Sequence, residues 1–247
     1  MSDAAITVQD LTVGWDDFDL MREVSFEVAQ GDVFVILGGS GCGKSTLLRH
    51  LIGLEVPKAG TIEIAGLGAP RIGDGAPPYG VMFQSGALFG SMTLAQNVGL
   101  PLRSWTGLDP DAVDAVVRDK LRLVGLDGFE HHLPAEISGG MKKRAGIARA
   151  LALDPQLLFL DEPSAGLDPI SAVELDELLL SLNRNLGVTT VLVTHELESI
   201  FKIASGCVML DKERKGVIAR GDPRELRDTS DDPSVRAFFN RTPRGDA

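Results

Sequence analysis

The run Gly38-Gly-Ser-Gly-Cys-Gly-Lys-Ser45 constrains this chain more than any other, because it stands between an apolar stretch, Val33-Phe-Val-Ile-Leu37, and a helical run starting at Lys44. It fits the phosphate-loop pattern of a glycine, four residues, then Gly-Lys-Ser or Thr. Glycines let successive backbone N–H groups turn inward around phosphate oxygens, and the following helix points its positive end at the same charge. Lys44 then reaches β- and γ-phosphates, and the Ser45 hydroxyl is a ligand for Mg²⁺. The alternative is a glycine-rich turn that happens to precede Lys-Ser, and such turns rarely fall between a strand and a helix. Nucleotide binding is the expectation.

Charge narrows the class of partner. The 247 residues carry 24 Lys and Arg against 35 Asp and Glu, a net charge of −11. That balance gives no general footing on duplex nucleic acid, which requires a basic face to displace counterions. It argues equally against unaided binding to an anionic lipid surface. Two cysteines, Cys42 and Cys207, are too few for a disulfide framework, so a reducing compartment is expected. No stretch reaches the roughly 18 apolar residues of a membrane span. Met1-Ser-Asp-Ala-Ala lacks the charged-then-apolar order of a signal peptide, so the expectation is a soluble, cytoplasmic chain.

Periodicity then places the elements. Residues 6–13, 24–28 and 33–37 read as strands and 44–54 as a helix, followed by strands at 61–64 and 81–83 joined by a Gly/Pro-rich loop over 66–80. From 85 to 153 the period is helical. Asp109-Pro110-Asp111 is a helix start, Val113, Val116, Val117, Leu121 and Val124 form one apolar stripe, and Gly125 stops it. Strands at 157–160, 190–193 and 207–210 alternate with helices at 170–186 and 197–204. Continuous apolar strands alternating with helices mean an α/β fold with a parallel sheet covered on both faces. The tail over 228–247 is polar apart from Val235, Phe238 and Phe239.

Further chemistry gathers at strand ends. Leu157-Leu-Phe-Leu-Asp161-Glu162 is an apolar strand ending in two acids, where α/β sheets bind ligands. Asp161 is placed to hold Mg²⁺ and Glu162 to orient and deprotonate an attacking water; two solvated acids capping a turn are the plainer alternative. His195 follows the strand at 190–193 and is a candidate for the γ-phosphate. Gln84, ending the strand at 81–83, is a candidate for the metal or the water. Ser138-Gly139-Gly140 opens a helix running to Leu153 and forms a second possible anion site, one more than a single nucleotide needs. Lys142, Lys143 and Arg144 follow in its first turn, where cations oppose the helix dipole unless an anion docks there; a Ser N-cap with a solvated basic face is the alternative. Cys42 stands at a helix N-terminus, a position expected to lower its thiol pKa, against the alternative of a buried inert thiol.

The ordered set Gly38–Ser45, Gln84, Ser138-Gly-Gly140, Asp161-Glu162, Ser164-Ala-Gly-Leu-Asp168 and His195 resembles the ATP-binding subunit of an ABC transporter over nearly the whole chain. The resemblance implies a P-loop NTPase core with an antiparallel β-subdomain and a helical subdomain. Residues 1–84 with 154–227 would form the nucleotide-binding core, 85–153 the helical subdomain and 228–247 a tail. It implies an ATPase of translocase type. Gly38, Gly39, Ser40, Gly41, Cys42, Gly43, Lys44, Ser45 and Thr46 would bind ATP, with Trp15 stacking on adenine. Ser45, Gln84 and Asp161 would hold Mg²⁺, and Glu162, His195 and Gln84 would serve hydrolysis. Ser138, Gly139, Gly140 and Asp168 would reach the ATP of a second copy.

Met141 replaces the Gln that usually ends the signature and cannot donate its amide hydrogen bond. With Met82-Phe-Gln-Ser-Gly-Ala-Leu-Phe89, Asn97-Val98, Pro101-Leu-Arg103 and Ser164-Ala-Gly-Leu-Asp-Pro169, it resembles the Mla- and Mce-associated lipid-transport branch. That implies phospholipid or related lipid transport across a bacterial envelope. Implied partners are a second copy, integral-membrane permease subunits, periplasmic MCE-type lipid-binding and small accessory subunits, and no nucleic acid. The implied location is the cytoplasmic face of the inner membrane, held there by the permease. Ala87-Leu-Phe89 reads either as a docking patch for a membrane partner or as core packing. The alternatives are an ABC importer for another solute, a soluble non-transport ABC ATPase and a P-loop small-molecule kinase.

Overall fold

Alternation of apolar and polar residues organises the start of the chain. In β1 (Ala4–Trp15) Ile6, Val8, Leu11 and Val13 are buried, and in β2 (Phe18–Ala29) Met21, Val24, Phe26 and Val28 are. The strands pair antiparallel from Ala4 opposite Ala29 to Trp15 opposite Phe18. Both exceed their expected lengths, because pairing continues to the turn and survives register shifts around Asp10, a residue with φ 48°. β3 (Val33–Gly38) is buried along its whole length and leads into α1 (Lys44–Leu51). That helix ends before the expected Leu54 because Gly53, at φ 69°, takes the chain out through left-handed backbone. β4 (Ala59–Ile64) then pairs with the free side of β1, completing a three-stranded antiparallel sheet in the order β2-β1-β4.

This computed structural model describes residues 4–242 except 72, 74 and 85. The first three residues, Ser85 at the start of the expected helical segment and the tail end at 243–247 lie outside the described residues. The chain packs as two compact units, residues 1–72 with 189–247 and residues 73–188. Residues 154–188, expected with the nucleotide-binding core, belong to the second unit.

In that second unit, β5 (Gly80–Met82) is followed by α2 (Leu94–Trp105), whose capping box joins Thr93 and Gln96. α3 (Pro110–Leu123) starts as its sequence signals, with the Asp109 carboxylate accepting the Ala112 N–H at 2.9 Å. Val113, Val117, Leu121 and Val124 are buried, Val116 is half-buried, and Gly125 (φ 71°) ends the stripe. Among the described residues, the 85–153 segment therefore holds three α-helices and a short 3-10 turn at Pro134–Glu136, the last helix being α4 (Gly139–Ala150), which stops short of Leu153. β6 (Leu157–Asp161) pairs parallel with β5, and α5 (Pro169–Leu186) closes the unit.

The chain returns to the first unit with β7 (Thr189–Val193), α6 (Leu197–Ile203) and β8 (Gly206–Asp211). β7 and β8 flank β3 in parallel, Ile36 lying opposite both Val193 and Val208. β3 is thus central to this unit, with the phosphate loop at its carboxyl end. β9 (Gly216–Gly221) adds an antiparallel edge to β8, a departure from an all-parallel expectation. α7 (Pro223–Thr229) precedes the tail and runs into its first residues, and α8 (Pro233–Phe239) forms within it, burying two of its three apolar residues, Val235 and Phe239, along with Ala237. Among the described residues, no helix is long and apolar enough to cross a membrane.

Candidate functional site

Glycine makes the phosphate loop possible at two tight places. Gly38 ends β3 at φ 144°, and a Cβ there would lie 2.5 Å from both Cys42 Sγ and the Leu210 carbonyl oxygen. Gly43 caps α1 at φ 100°, with its would-be Cβ 2.5 Å from Met21 Cε. Because Gly43 has no side chain, no side-chain cap closes the first turn of α1. By contrast, Thr93, Asp109, Ser138, Asp168, Asp222 and Asp232 accept first-turn amides on α2, α3, α4, α5, α7 and α8. α6 also starts without a side-chain cap, at Glu196, so what sets α1 apart is the glycine-rich turn ahead of it, which suits an anion. Lys44 adds charge at the same point, its ammonium donating to the Gly38 and Gly39 carbonyls at 2.9 and 3.1 Å.

Cys42 does not behave as its position predicts. Its side chain is buried, and burial pushes the thiol above its ordinary range against the opposing pull of Lys44. Burial likewise raises Cys207, to about 12. Burial, not the helix terminus, sets the surroundings of the Cys42 thiol. Beside the loop, a cleft of about 320 Å³ is lined by Gly39, Ser40, Cys42, Asp211, Phe238 and Thr242, among others.

Trp15 is 52% exposed at the end of β1, and its indole lies parallel to the Phe18 ring, 5° apart in plane and 6.4 Å between centroids. The Lys215 ammonium sits 4.9 Å from the Phe18 centroid. Phe18 and Lys215 escaped the sequence reading, although two aromatics flanking a two-residue turn signal a cross-strand pair. His195 follows β7 as expected and is exposed, with Nε2 3.6 Å from Glu196 Oε1. The phosphate loop and His195 therefore leave the same ends of neighbouring parallel strands, β3 and β7.

The second unit carries the other residues. Gln84 lies in a turn beyond β5, which ends at Met82 because only Gly80 to Met82 pair with Leu158 to Leu160. Asp161 is the last residue of β6, and Glu162 follows in left-handed backbone at φ 49°. For a non-glycine residue that conformation costs roughly 1–2 kcal/mol and is held where the surroundings demand it. Both residues are half-buried, and the Glu162 Oε2 atom is buried.

The basic triplet after the signature is not one solvated face. Lys143 is buried, and its ammonium donates to the backbone carbonyls of Gln84 and Glu162. Burial pushes that ammonium below its ordinary pKa, while Glu162 and Asp161 pull it back up. Arg144 turns toward Glu174 at 3.9 Å. Ser138 and Gly139 are exposed at the start of α4, where Ser138 Oγ accepts the Met141 N–H at 3.2 Å. Asp168 caps α5, and its bonds from the Ser171 hydroxyl and from the Ser171 and Ile170 amides hold its carboxyl below the usual range.

The family model for ABC transporters matches residues 21–165. A probable ribonucleotide transport ATP-binding protein, mkl, of Mycobacterium leprae is 42% identical over 241 residues, covering 96% of this chain and 69% of its own length. The same protein of Mycobacterium tuberculosis is matched over 66% of its length, so the chain spans about two thirds of these relatives. The taurine import ATP-binding protein TauB of Burkholderia pseudomallei is 42% identical over 200 residues, 81% of this chain and 75% of that one. Among solved structures, the dimeric post-hydrolysis state of the ATP-binding cassette MJ0796, bound to ADP and Pi, aligns with a TM-score of 0.77 and 26% identity, covering 88% of this chain and 98% of that one. The α/β fold with its antiparallel sheet is that of ABC ATPase cassettes, and the chain belongs to the ABC transporter family as an ATP-binding subunit with ATPase activity.

Proposed function

We propose that two copies of this chain close head to tail over two ATP·Mg²⁺ and drive a separate membrane permease that moves phospholipid or a related lipid across a bacterial envelope. The observation that carries the ATP half is the first turn of α1, left without a side-chain cap behind Gly43 and joined by the Lys44 ammonium. Gly38 to Thr46 hold the phosphates, and Trp15 stacks on adenine. The Ser45 hydroxyl, Gln84 amide oxygen and Asp161 carboxylate are hard oxygen donors of the kind Mg²⁺ prefers. When bound with ATP, Mg²⁺ neutralises charge on the β- and γ-phosphate oxygens. Glu162 orients a water for in-line attack and takes its proton, while Lys44 and the loop amides stabilise the charge that develops. His195 and Gln84 contact the γ-phosphate and the water. Ser138, Gly139 and Gly140 grip the ATP of the second copy, and Asp168 lies in the loop crossing to it. The dimeric form of MJ0796 supports this arrangement.

The lipid reading rests on Met141 and on the run from Met82 to Phe89, whose Phe83 and Phe89 are 38% and 51% exposed. The exposed rings of Phe83 and Phe89 fit a helix from a permease at the cytoplasmic face of the inner membrane, with periplasmic MCE-type and small accessory subunits beyond it. The relatives' names speak of ribonucleotide transport and taurine import, so import of a polar solute is the competing reading. Tagging the protein, solubilising membranes gently and identifying co-purifying proteins and lipids by mass spectrometry separates the two. The expected result is a multispan permease, a periplasmic lipid-binding partner and bound phospholipid; a solute-binding protein without lipid would overturn the cargo assignment.

A further inference from the structure

α4 contributes a buried cation that none of the steps above uses. Lys143 is 7% exposed, and its ammonium donates to the Gln84 carbonyl and, at 3.1 Å, to the Glu162 carbonyl. One acceptor opens the turn after β5 and the other immediately follows β6. One acceptor, Glu162, is itself in left-handed backbone at φ 49°, and Ala87, three residues beyond the other, is at φ 48°. Non-glycine residues stay in that region only where their surroundings hold them. Two residues of α4 do so here. Lys143 fixes the first carbonyl of the loop and that of Glu162, and Arg149 donates to the Gly86 and Ala87 carbonyls at 3.0 and 2.7 Å.

We infer that Lys143 is a positioning residue that ties the backbones of Gln84 and Glu162 to the helix opened by Ser138, so that a movement of α4 shifts the amide and the carboxylate together. Lys143 gives its hydrogen bonds to the Gln84 and Glu162 peptide oxygens, while the Glu162 and Asp161 carboxylates act on its ammonium through charge alone, so its hold is on the backbones of those two residues. Arg149 is the internal contrast, because it fastens the same loop without touching Glu162. This role rests on the reading of Glu162 as the group that orients water.

The test compares ATP turnover and ATP affinity in the full chain for Lys143→Met, Lys143→Gln and Glu162→Gln. Met keeps the stem and donates nothing, whereas the Gln amide still offers two N–H groups. Lys143→Met is expected to lower kcat on the order of 10- to 100-fold, the scale of a misplaced catalytic group, with the Kd for ATP little changed. Lys143→Gln should restore most of that loss, and Lys143→Met should add little in a Glu162→Gln background. A kcat for Lys143→Met equal to the parent, or full additivity with Glu162→Gln, would overturn the role. If Lys143→Met does not fold, hydrogen exchange of Lys143→Ala, which removes the donor and its stem while keeping a good helix former, decides. Amides in both segments, around residues 84–87 and 162–165, should exchange faster together; a change in one segment alone, or in neither, would overturn it. Normal turnover in Glu162→Gln sinks the underlying reading, whereas slow Glu162→Gln beside normal Lys143→Met sinks only the role of Lys143.

Discussion

α1 and α4 both begin after glycine-rich runs, yet their first turns are completed differently. At α1, Gly43 contributes no side chain and the nearby Lys44 ammonium adds positive charge. At α4, the Ser138 hydroxyl already accepts the Met141 N–H, and Lys143 is turned inward onto backbone carbonyls. A glycine-rich helix start is therefore not by itself an anion site. What decides is whether the chain supplies its own acceptor. α1 has no side-chain acceptor at its cap, whereas at α4 Ser138 supplies one and stands exposed with Gly139. That fits one terminus that holds a nucleotide and another that touches the nucleotide held by a second copy.

The sharpest break of this contrast is at Lys44. Lys44→Ala should lower steady-state phosphate release by on the order of 10²- to 10³-fold, as loss of a preorganised charge donor does. Ser138→Ala should do less and something different. Removing the cap should cost about 1 kcal/mol of stability in thermal unfolding. Turnover should fall roughly 10-fold, the size of one lost charge-assisted hydrogen bond, while ATP binding to the monomer is unchanged. Equal losses of monomer binding in the two variants would erase the distinction between the termini. Trp15→Ala should weaken ATP binding by about 2- to 10-fold in a fluorescence or calorimetric titration, matching an aromatic stacking term of about 0.5–1.5 kcal/mol. The smallest effect concerns Cys42. With its thiol buried and raised, iodoacetamide at pH 7.5 should label it far more slowly than a free peptide thiol, and unfolding should restore the rate. Fast labelling of the native chain would mean that the start of α1 dominates over burial.

Local chemistry explains which parts of this were legible in the sequence. The phosphate loop, the Asp109-Pro110 start of α3 and the Ser138 start of α4 are short signals whose spacing alone enforces their backbone, and each forms where its residues stand. The antiparallel edge β9 was not legible, since Gly216 to Gly221 is short, half-exposed and flanked by glycines. Helix α8 was passed over because its surroundings are polar, although Asp232-Pro233 repeats the same cap-and-proline start seen at Asp109-Pro110. Lys143 was hidden by its neighbours. A run of Lys-Lys-Arg reads as one basic face, but successive helical residues turn by about 100°, which is enough to bury the middle one and leave the flanking two half-buried. Cys42 shows the same limit from the other side: its helix-terminal position is visible in the sequence, and its burial is not.

ATP-driven closure is tested most directly by the solution mass of the Glu162→Gln variant, measured by multi-angle light scattering with and without ATP·Mg²⁺. If Glu162 activates the water and the signature of each copy grips the other's nucleotide, the variant binds ATP, hydrolyses it poorly and accumulates as a dimer that dissociates when ATP is removed. A Glu162→Gln chain that turns over ATP normally and stays monomeric with ATP bound would contradict both parts at once.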